Sequence, residues 1–311
     1  MRLDKFLSEK YPKVSRAVFQ KLIESGNVMI NGATCENVRQ NVSESDDVSV
    51  TFPKKSDFAD EIAAFEKQVI YEDENVVVIN KPAGILTHAK GGLVDEFTVA
   101  DFIASKHKAG SQQLSERSGI VHRLDRGTSG VLIAAKNPAA QGFLQKQFQD
   151  RKTHKTYLAL TEKAPKIEAA RIDLPIGRNA KRPSEFRVDP SGKPAITDYK
   201  TLEIFGDGSA LVELKPLTGR THQLRVHLSH IKAPIIGDVV YNKNCHPELV
   251  SGSNNKTVAE GDSSPRMFLH AAELEITIPK IHDETANQRK IFHVSPPPDF
   301  WDEIARRRMI Q

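Results

Sequence analysis

The chain has 311 residues, 39% hydrophobic and 27% charged, with a formal net charge of +4. It is long enough for two domains and has the composition of ordinary globular protein. No apolar run approaches the ~20 residues that span a bilayer. The opening Arg2-Leu3-Asp4-Lys5 is not an apolar signal core, and Cys35 and Cys245 form neither a disulfide framework nor a metal spacing. A cytoplasmic protein with no membrane partner and no metal is expected.

In the first 55 residues, Leu3, Phe6 and Leu7 recur at helical spacing. Ser15 is placed to cap a second helix carrying Val18, Phe19, Leu22 and Ile23, with Gly26 at its end. Val28-Met29-Ile30 reads as a strand, Asn31-Gly32 as a tight turn and Val48-Ser49-Val50 as a closing strand. Basic side chains outnumber acidic ones six to two over residues 1–21, which suits a polyanionic partner. The Arg2-Leu3-Asp4-Lys5-Phe6-Leu7, Ser15-Arg16 and Gly26-x-Val28-x-Ile30-Asn31-Gly32 pattern resembles the small RNA-binding module first described in a ribosomal small-subunit protein. The resemblance implies that residues 1–55 bind RNA, with Arg2, Lys5, Lys13, Arg16 and Lys21 as contacts. A structural appendage with a solvated basic face is the other reading.

Residues 56–67 are mixed and charged and read as a linker with some helical content, leaving 68–311 as the second domain. Val69–Asn75 suggests a strand and turn. Val76-Val77-Val78-Ile79 is a buried strand that ends at Asn80-Lys81-Pro82-Ala83-Gly84. Lys81 can reach a phosphate or stand solvated at the strand end. Val99, Phe102 and Ile103 predict a helix.

The stretch Val121-His122-Arg123-Leu124-Asp125-Arg126-Gly127-Thr128-Ser129-Gly130 lies between two apolar runs, Ile120-Val121 and Val131–Ala135. Two glycines mark a tight connection, which places Asp125 at a strand end between Arg123 and Arg126. An arginine-flanked carboxylate stays ionised and oriented, as a nucleophile requires. Local physics alone favours the plainer reading of a turn-capping Asp paired with an Arg. A helix is expected over Ala139–Asp150. Arg151-Lys152-Thr153-His154-Lys155-Thr156-Tyr157 then leads into a strand, where a tyrosine is usually packed in the core.

Residues 171–200 read as a strand with a long basic loop, and 197–205 and 210–214 as strands. In Leu214–Leu228, Gly219 lets the chain turn into a helix, with Arg220 near its start, where anions are favoured. His222, His227 and His230 lack the spacing and fourth ligand of a zinc site. Residues 244–264, rich in Ser, Asn and Gly, read as an inserted mobile loop. Leu274–Ile278 is a closing strand before Pro296-Pro297-Pro298 and a terminal helix.

His122-Arg123-Leu124-Asp125-x-x-Thr128-Ser129-Gly130 resembles the signature of the RluA-like pseudouridine synthases, which modify uridines in large-subunit ribosomal RNA and tRNA. Val76–Ile79 with Asn80-Lys81-Pro82-Ala83-Gly84, the Lys155-x-Tyr157 strand, Leu214–Leu228 and Ile235–Tyr241 resemble the family's further motifs, and the 244–264 insertion departs from it. The resemblance implies an α+β fold, with a mixed, mainly antiparallel sheet following the small RNA-binding module. It makes Asp125 the catalytic aspartate, Tyr157 the residue that stacks on the target base and helps move the proton from C5, and Arg220 the partner of Asp125. Arg123, Lys81, His122, Thr128 and Arg225 would bind substrate, Arg123 either by filling the vacated place in the stack or electrostatically. Arg225 is expected to serve affinity more than chemistry. The reaction needs no cofactor, RNA is the partner, and a monomer is expected. Two other classes stay open: a non-catalytic RNA-binding or ribosome-assembly protein, and a DNA-binding protein with an unrelated catalytic domain.

Overall fold

The computed structural model describes residues 1–12, 14–52, 56–89, 95–106, 119–242, 266–280 and 287–310. Lys13 and the 244–264 insertion lie outside the described residues. The chain forms two compact units, residues 1–61 with 88–98 and residues 62–87 with 99–311.

In the first unit, helices α1 (Leu3–Lys10) and α2 (Arg16–Glu24) accompany a three-stranded antiparallel sheet of β1 (Val28–Ile30), β2 (Ala33–Thr34) and β3 (Val48–Val50), with β1 in the middle. Leu3, Leu7, Phe19, Leu22 and Ile23, the apolar positions of both helical repeats, supply its core together with Val28 of β1. Asn31 and Gly32 both have positive φ, 49° and 80°, as the two-residue turn between β1 and β2 requires. Ser15 is the N-cap residue of α2, but its side chain makes no capping hydrogen bond. Helix α3 (Ala59–Phe65) and a 3-10 turn (Glu66–Gln68) supply the helical content expected of residues 56–67. The division between the units falls inside α3.

The second unit is built on one large sheet. Its strands are β4 (Val69–Glu72), β5 (Val76–Lys81), β6 (Ser129–Ala135), β7 (His154–Thr161), β8 (Ala169–Asp173), β11 (Ile196–Ile204), β12 (Ala210–Pro216), β13 (Leu269–Ile278) and β14 (Gln288–His293). They run in the order β4-β5-β6-β13-β7-β12-β11-β8, with β14 against β13. Among the described residues every pairing in this sheet is antiparallel except β6 with β13. The fold is thus α+β with a mixed, mainly antiparallel sheet. β9 (Ile176–Arg178) and β10 (Phe186–Val188) form a separate hairpin where the sequence suggests a long basic loop. Helices α4 (Val99–Ser105), α5 (Pro138–Gln149), α6 (Gln223–His230) and α7 (Pro298–Arg308) complete the unit. Asn137 caps α5 by accepting the Ala140 N–H at 2.9 Å.

Strand β6 is buried at every residue, and β5 at all but Asn80, so Val76–Ile79 and Val131–Ala135 read as unbroken apolar runs. β6 and β13 come so close at one point that a Cβ on Gly130 (φ 113°) would stand 2.2 Å from the Ala271 carbonyl oxygen. Only glycine fits there. The Ile120-Val121 run makes a single bridge, Ile120 to Ala134, rather than a strand. Asp125 therefore sits in a loop ahead of β6 and not at the end of a preceding strand. β14 has no counterpart in the sequence pattern, because its polar stretch Gln288-Arg289-Lys290 shows no apolar run.

Candidate active site

A cleft of about 540 Å³ is lined by the loop 121–128, by Phe148 to Tyr157, and by Pro216 to Arg225. Asp125 stands in that lining with its side chain 17% exposed. Its loop is pinned from several sides. The Thr128 N–H donates to the Asp125 carbonyl at 3.1 Å. The Thr87 hydroxyl donates to the Leu124 carbonyl at 2.7 Å and accepts the Leu124 N–H at 3.2 Å. The Gly84 N–H donates to the Arg126 carbonyl at 2.9 Å. Thr128 itself is buried in the cleft wall.

Lys81 belongs to the same scaffold. It is fully buried, and its Nζ donates to the carbonyls of Pro82, Ile85 and Arg126 at 2.7, 2.8 and 3.2 Å. Burial pushes this amine down to about 7, opposed by the charge of Asp125. Three acceptors match the three N–H bonds of an ammonium, which favours the charged form at neutral pH. Lys81 therefore neither contacts a phosphate nor stands solvated: it ties the end of β5 to the Asp125 loop.

The partner of Asp125 is Arg225 and not Arg220. Arg225 Nη1 donates to Asp125 Oδ2 at 3.1 Å, while its Nε and Nη2 grip both oxygens of Asp238 at 2.7 and 2.8 Å. Arg220 turns away, its Nε donating to the Pro194 carbonyl at 3.0 Å. The reason is where α6 begins. Arg220 precedes the helix, whereas Arg225 is its third residue, and helical side chains lean back toward the N-terminus. Gln223 sets that start: its side-chain oxygen accepts from the Thr218 hydroxyl and the Arg220 N–H at 2.7 and 3.0 Å. Its amide donates to Ile196 O and Thr197 Oγ1 at 2.9 and 3.0 Å.

Asp238 is fully buried and also accepts the Val240 and Tyr241 N–H groups at 3.0 and 3.1 Å. It lies in the Ile235–Tyr241 motif, yet nothing in the sequence pattern assigns it a role. Its only sequence signal is the Gly237-Asp238 pair after an apolar run. A Cβ on Gly237 (φ 76°) would overlap the Arg266 carbonyl, so that pair is locked against the chain segment beyond the insertion. The Arg225 guanidinium also lies over the Tyr241 ring, 5.0 Å from its centroid. Flanked by two carboxylates, Arg225 is held above its ordinary range although burial opposes its charge.

His222, in left-handed backbone (φ 56°), lies 4.0 Å from Asp125 Oδ2 through Nε2 and 2.7 Å from the Tyr241 hydroxyl through Nδ1. The Tyr241 oxygen also accepts the Phe186 N–H at 2.9 Å, and this contact at Nδ1 leaves the imidazole with Nε2 facing Asp125. His227 is occupied elsewhere, by Thr197 Oγ1 and Leu174 O at 2.9 and 3.0 Å. His122 accepts the Ile133 N–H at 3.0 Å and stacks on Phe148 with ring centroids 4.6 Å apart. Burial, aided by the charge of Lys155, pushes it down to about 3, so it is a neutral wall of the cleft. Tyr157 projects from the central strand β7, paired with Leu214 on one side and Ala271 on the other. Burial and the Asp125 charge raise its phenol above its usual range. Arg123 lines the cleft and is exposed.

The RNA contacts expected in the first unit look different in the structure. Asp4 is fully buried there and takes bidentate hydrogen bonds from Arg2 (3.2 and 3.1 Å) and Arg16 (2.8 and 3.0 Å), and one from Gln20 at 2.8 Å. Both arginines remain about half exposed, so they present an oriented pair of cations. Lys5 pairs loosely with Glu9 at 3.7 Å, and Lys21 is exposed.

A carboxylate held by a buried arginine, facing a tyrosine in a cleft rimmed by cations, suits chemistry on a nucleotide. A family model described as RNA pseudouridylate synthase matches residues 75–230, and one for the S4 domain matches residues 1–48. The chain belongs to the RNA pseudouridylate synthase family. It is 36% identical over 287 residues to the ribosomal large subunit pseudouridine synthase D of Borreliella burgdorferi, covering 90% of this chain and 83% of that one. It is 32% identical over 283 residues to the protein of the same name from Escherichia coli, covering 89% and 83%. Among solved structures it resembles human RNA pseudouridylate synthase domain containing 4, with a TM-score of 0.59, 26% identity, and coverage of 80% of this chain and 95% of that one. The chain is an RNA pseudouridine synthase, an enzyme that isomerises uridines in RNA.

Proposed function

We propose that Asp125 is the catalytic carboxylate, that Arg225 orients it, and that the substrate is a uridine of large-subunit ribosomal RNA. The reading rests on one observation. Asp125 Oδ2 is held by Arg225, while no donor among the described residues bonds Oδ1. One oxygen is aimed and the other is available to the nucleotide. Arg225 needs Asp238 for this, since a guanidinium shared between two carboxylates is fixed in place. Isomerisation breaks the N1–C1′ bond, turns the base, joins C5 to C1′, and moves the C5 proton to N1, so nothing is gained or lost. Tyr157, kept protonated, serves as a stacking platform and not as a phenolate base. A stacked uridine must leave its helix at a cost of a few kcal/mol. Arg123, exposed at the cleft, is placed to fill the gap.

The names of the relatives support ribosomal RNA as substrate, which fits work in the cytoplasm, and we read the chain as acting as a monomer. Pseudouridine mapping of ribosomal RNA and tRNA, with the wild-type chain and Asp125→Asn, tests the reading. The variant is expected to form no pseudouridine while binding RNA within about twofold of wild type, well under the tenfold of 1.4 kcal/mol. Near-normal conversion by a variant verified free of deamidation would remove Asp125 from the chemistry.

A further inference from the structure

Lys155 lines the cleft yet has no part in the arrangement around Asp125. It lies two residues before Tyr157 on β7, so the two share one face about 7 Å apart, while His154 and Thr156 point the other way. The register agrees, with His154 opposite Glu275 and Lys155 opposite Leu274 of β13. Among the described residues no carboxylate or carbonyl bonds its ammonium. Its charge is felt at His122, across the cleft wall. Burial pushes the amine down to about 8, the direction expected where no acid offsets desolvation.

A half-buried cation with no anion calls for one from the ligand. The carboxylate at hand is already held by Arg225. Uracil is uncharged at neutral pH, so the anions of an RNA ligand are its phosphates. Arg151, in the turn before β7 and also in the cleft lining, continues the basic line outward. Resting on the pseudouridine synthase reading, we infer that Lys155 binds a phosphodiester flanking the target uridine. Tyr157 then faces the base, Asp125 the sugar and Lys155 the phosphate, in the order in which a nucleotide presents them.

The test uses a hairpin cut from large-subunit rRNA around the uridine that the wild-type chain converts, with and without an uncharged methylphosphonate at the linkage 5′ or 3′ to it. Wild type is expected to lose about 10-fold in affinity at one of the two positions, the size of one charge-assisted hydrogen bond. Lys155→Met should bind charged and neutral hairpins alike, and Lys155→Arg should restore the dependence, which a variant that merely misfolds does not do. An equal loss in Lys155→Met and wild type, or no loss at either position in wild type, overturns the proposal. Total large-subunit rRNA supplies a readout independent of turnover. There the slope of log affinity against log salt should become shallower by about 0.7 in Lys155→Met. A shallower slope with no pseudouridine formed by wild type would sink the catalytic reading and leave the phosphate site standing. Conversion by wild type with an unchanged slope in Lys155→Met does the reverse.

Discussion

Arg225 is the residue on which the cleft depends most, because one guanidinium satisfies two carboxylates. Arg225→Ala leaves Asp238 buried without its counter-charge, which costs about 3–5 kcal/mol and should show as a lowered melting temperature as well as lost turnover. Arg225→Lys keeps the charge but cannot serve both Asp238 oxygens and Asp125 together. Its single-turnover rate should fall by about 10²-fold, comparable to removing one preorganised donor, with RNA affinity nearly kept. Arg220→Ala should behave oppositely, raising KM with the chemical rate unchanged, since among the described residues its side chain bonds the Pro194 carbonyl and not Asp125. A wild-type chemical rate in Arg225→Lys would show that the ion pair is structural. Lys81 makes a second contrast at this scale. Lys81→Met leaves the part-buried Pro82 and Ile85 carbonyls without this donor, at about 1–3 kcal/mol each, while the Arg126 carbonyl keeps the Gly84 N–H. Thermal melts should record the loss, whereas a phosphate-binding role would leave stability untouched.

At the level of elements, the site is made where β7, the loop ahead of β6 and the start of α6 meet. Those elements lie far apart in the chain and are brought together by the sheet order. The first unit makes a separate contribution. Its α1 and α2 are joined through Asp4, which fixes Arg2 and Arg16 without neutralising both. Replacing Arg2, Arg16 and Lys21 together by Gln should make the salt dependence of RNA binding shallower by about 0.7–0.9 for each phosphate left without its cation. Filter binding across a salt series measures it. An unchanged slope would mean that this basic face is only solvated surface. Asp4→Asn should give a smaller change in slope, because the arginines keep their charge and give up only their orientation.

For the molecule as a whole, acid stability follows from its buried histidines. His270 is fully buried between Ser129 Oγ and the Val294 carbonyl at 2.9 and 3.0 Å, and burial pushes it down to about 4. Unfolded, it takes up a proton near pH 6.5. Across the window from 6.5 to 4 the unfolded chain binds more protons, so stability falls as pH is lowered through that range. His122, pushed down to about 3, adds in the same direction. Melting temperatures should therefore drop below pH 6.5, and His270→Gln should reduce the steepness of that drop. Parallel curves for variant and wild type would rule His270 out as a source.

Much of this protein could be read from local pattern. The apolar run Val76–Ile79 became β5, the spacing of Leu3 and Leu7 became α1, Asn31-Gly32 became the tight turn, and the His122–Gly130 motif marked the family. These signals are local because backbone conformation and strand or helix period are set by near neighbours in sequence. The arginine that meets Asp125 was decided elsewhere. Arg220 and Arg225 sit in one motif with equal charge, and 100 residues separate Asp125 from Arg225. Only the start of α6 and the buried Asp238, which must be neutralised, select Arg225. Likewise Lys81 reads as an ordinary strand-end lysine until the loop carrying Arg126 folds over it, and polar β14 becomes a strand only because β13 offers it an edge. Long-range pairing depends on which groups burial leaves unsatisfied, and burial is a property of the packed chain.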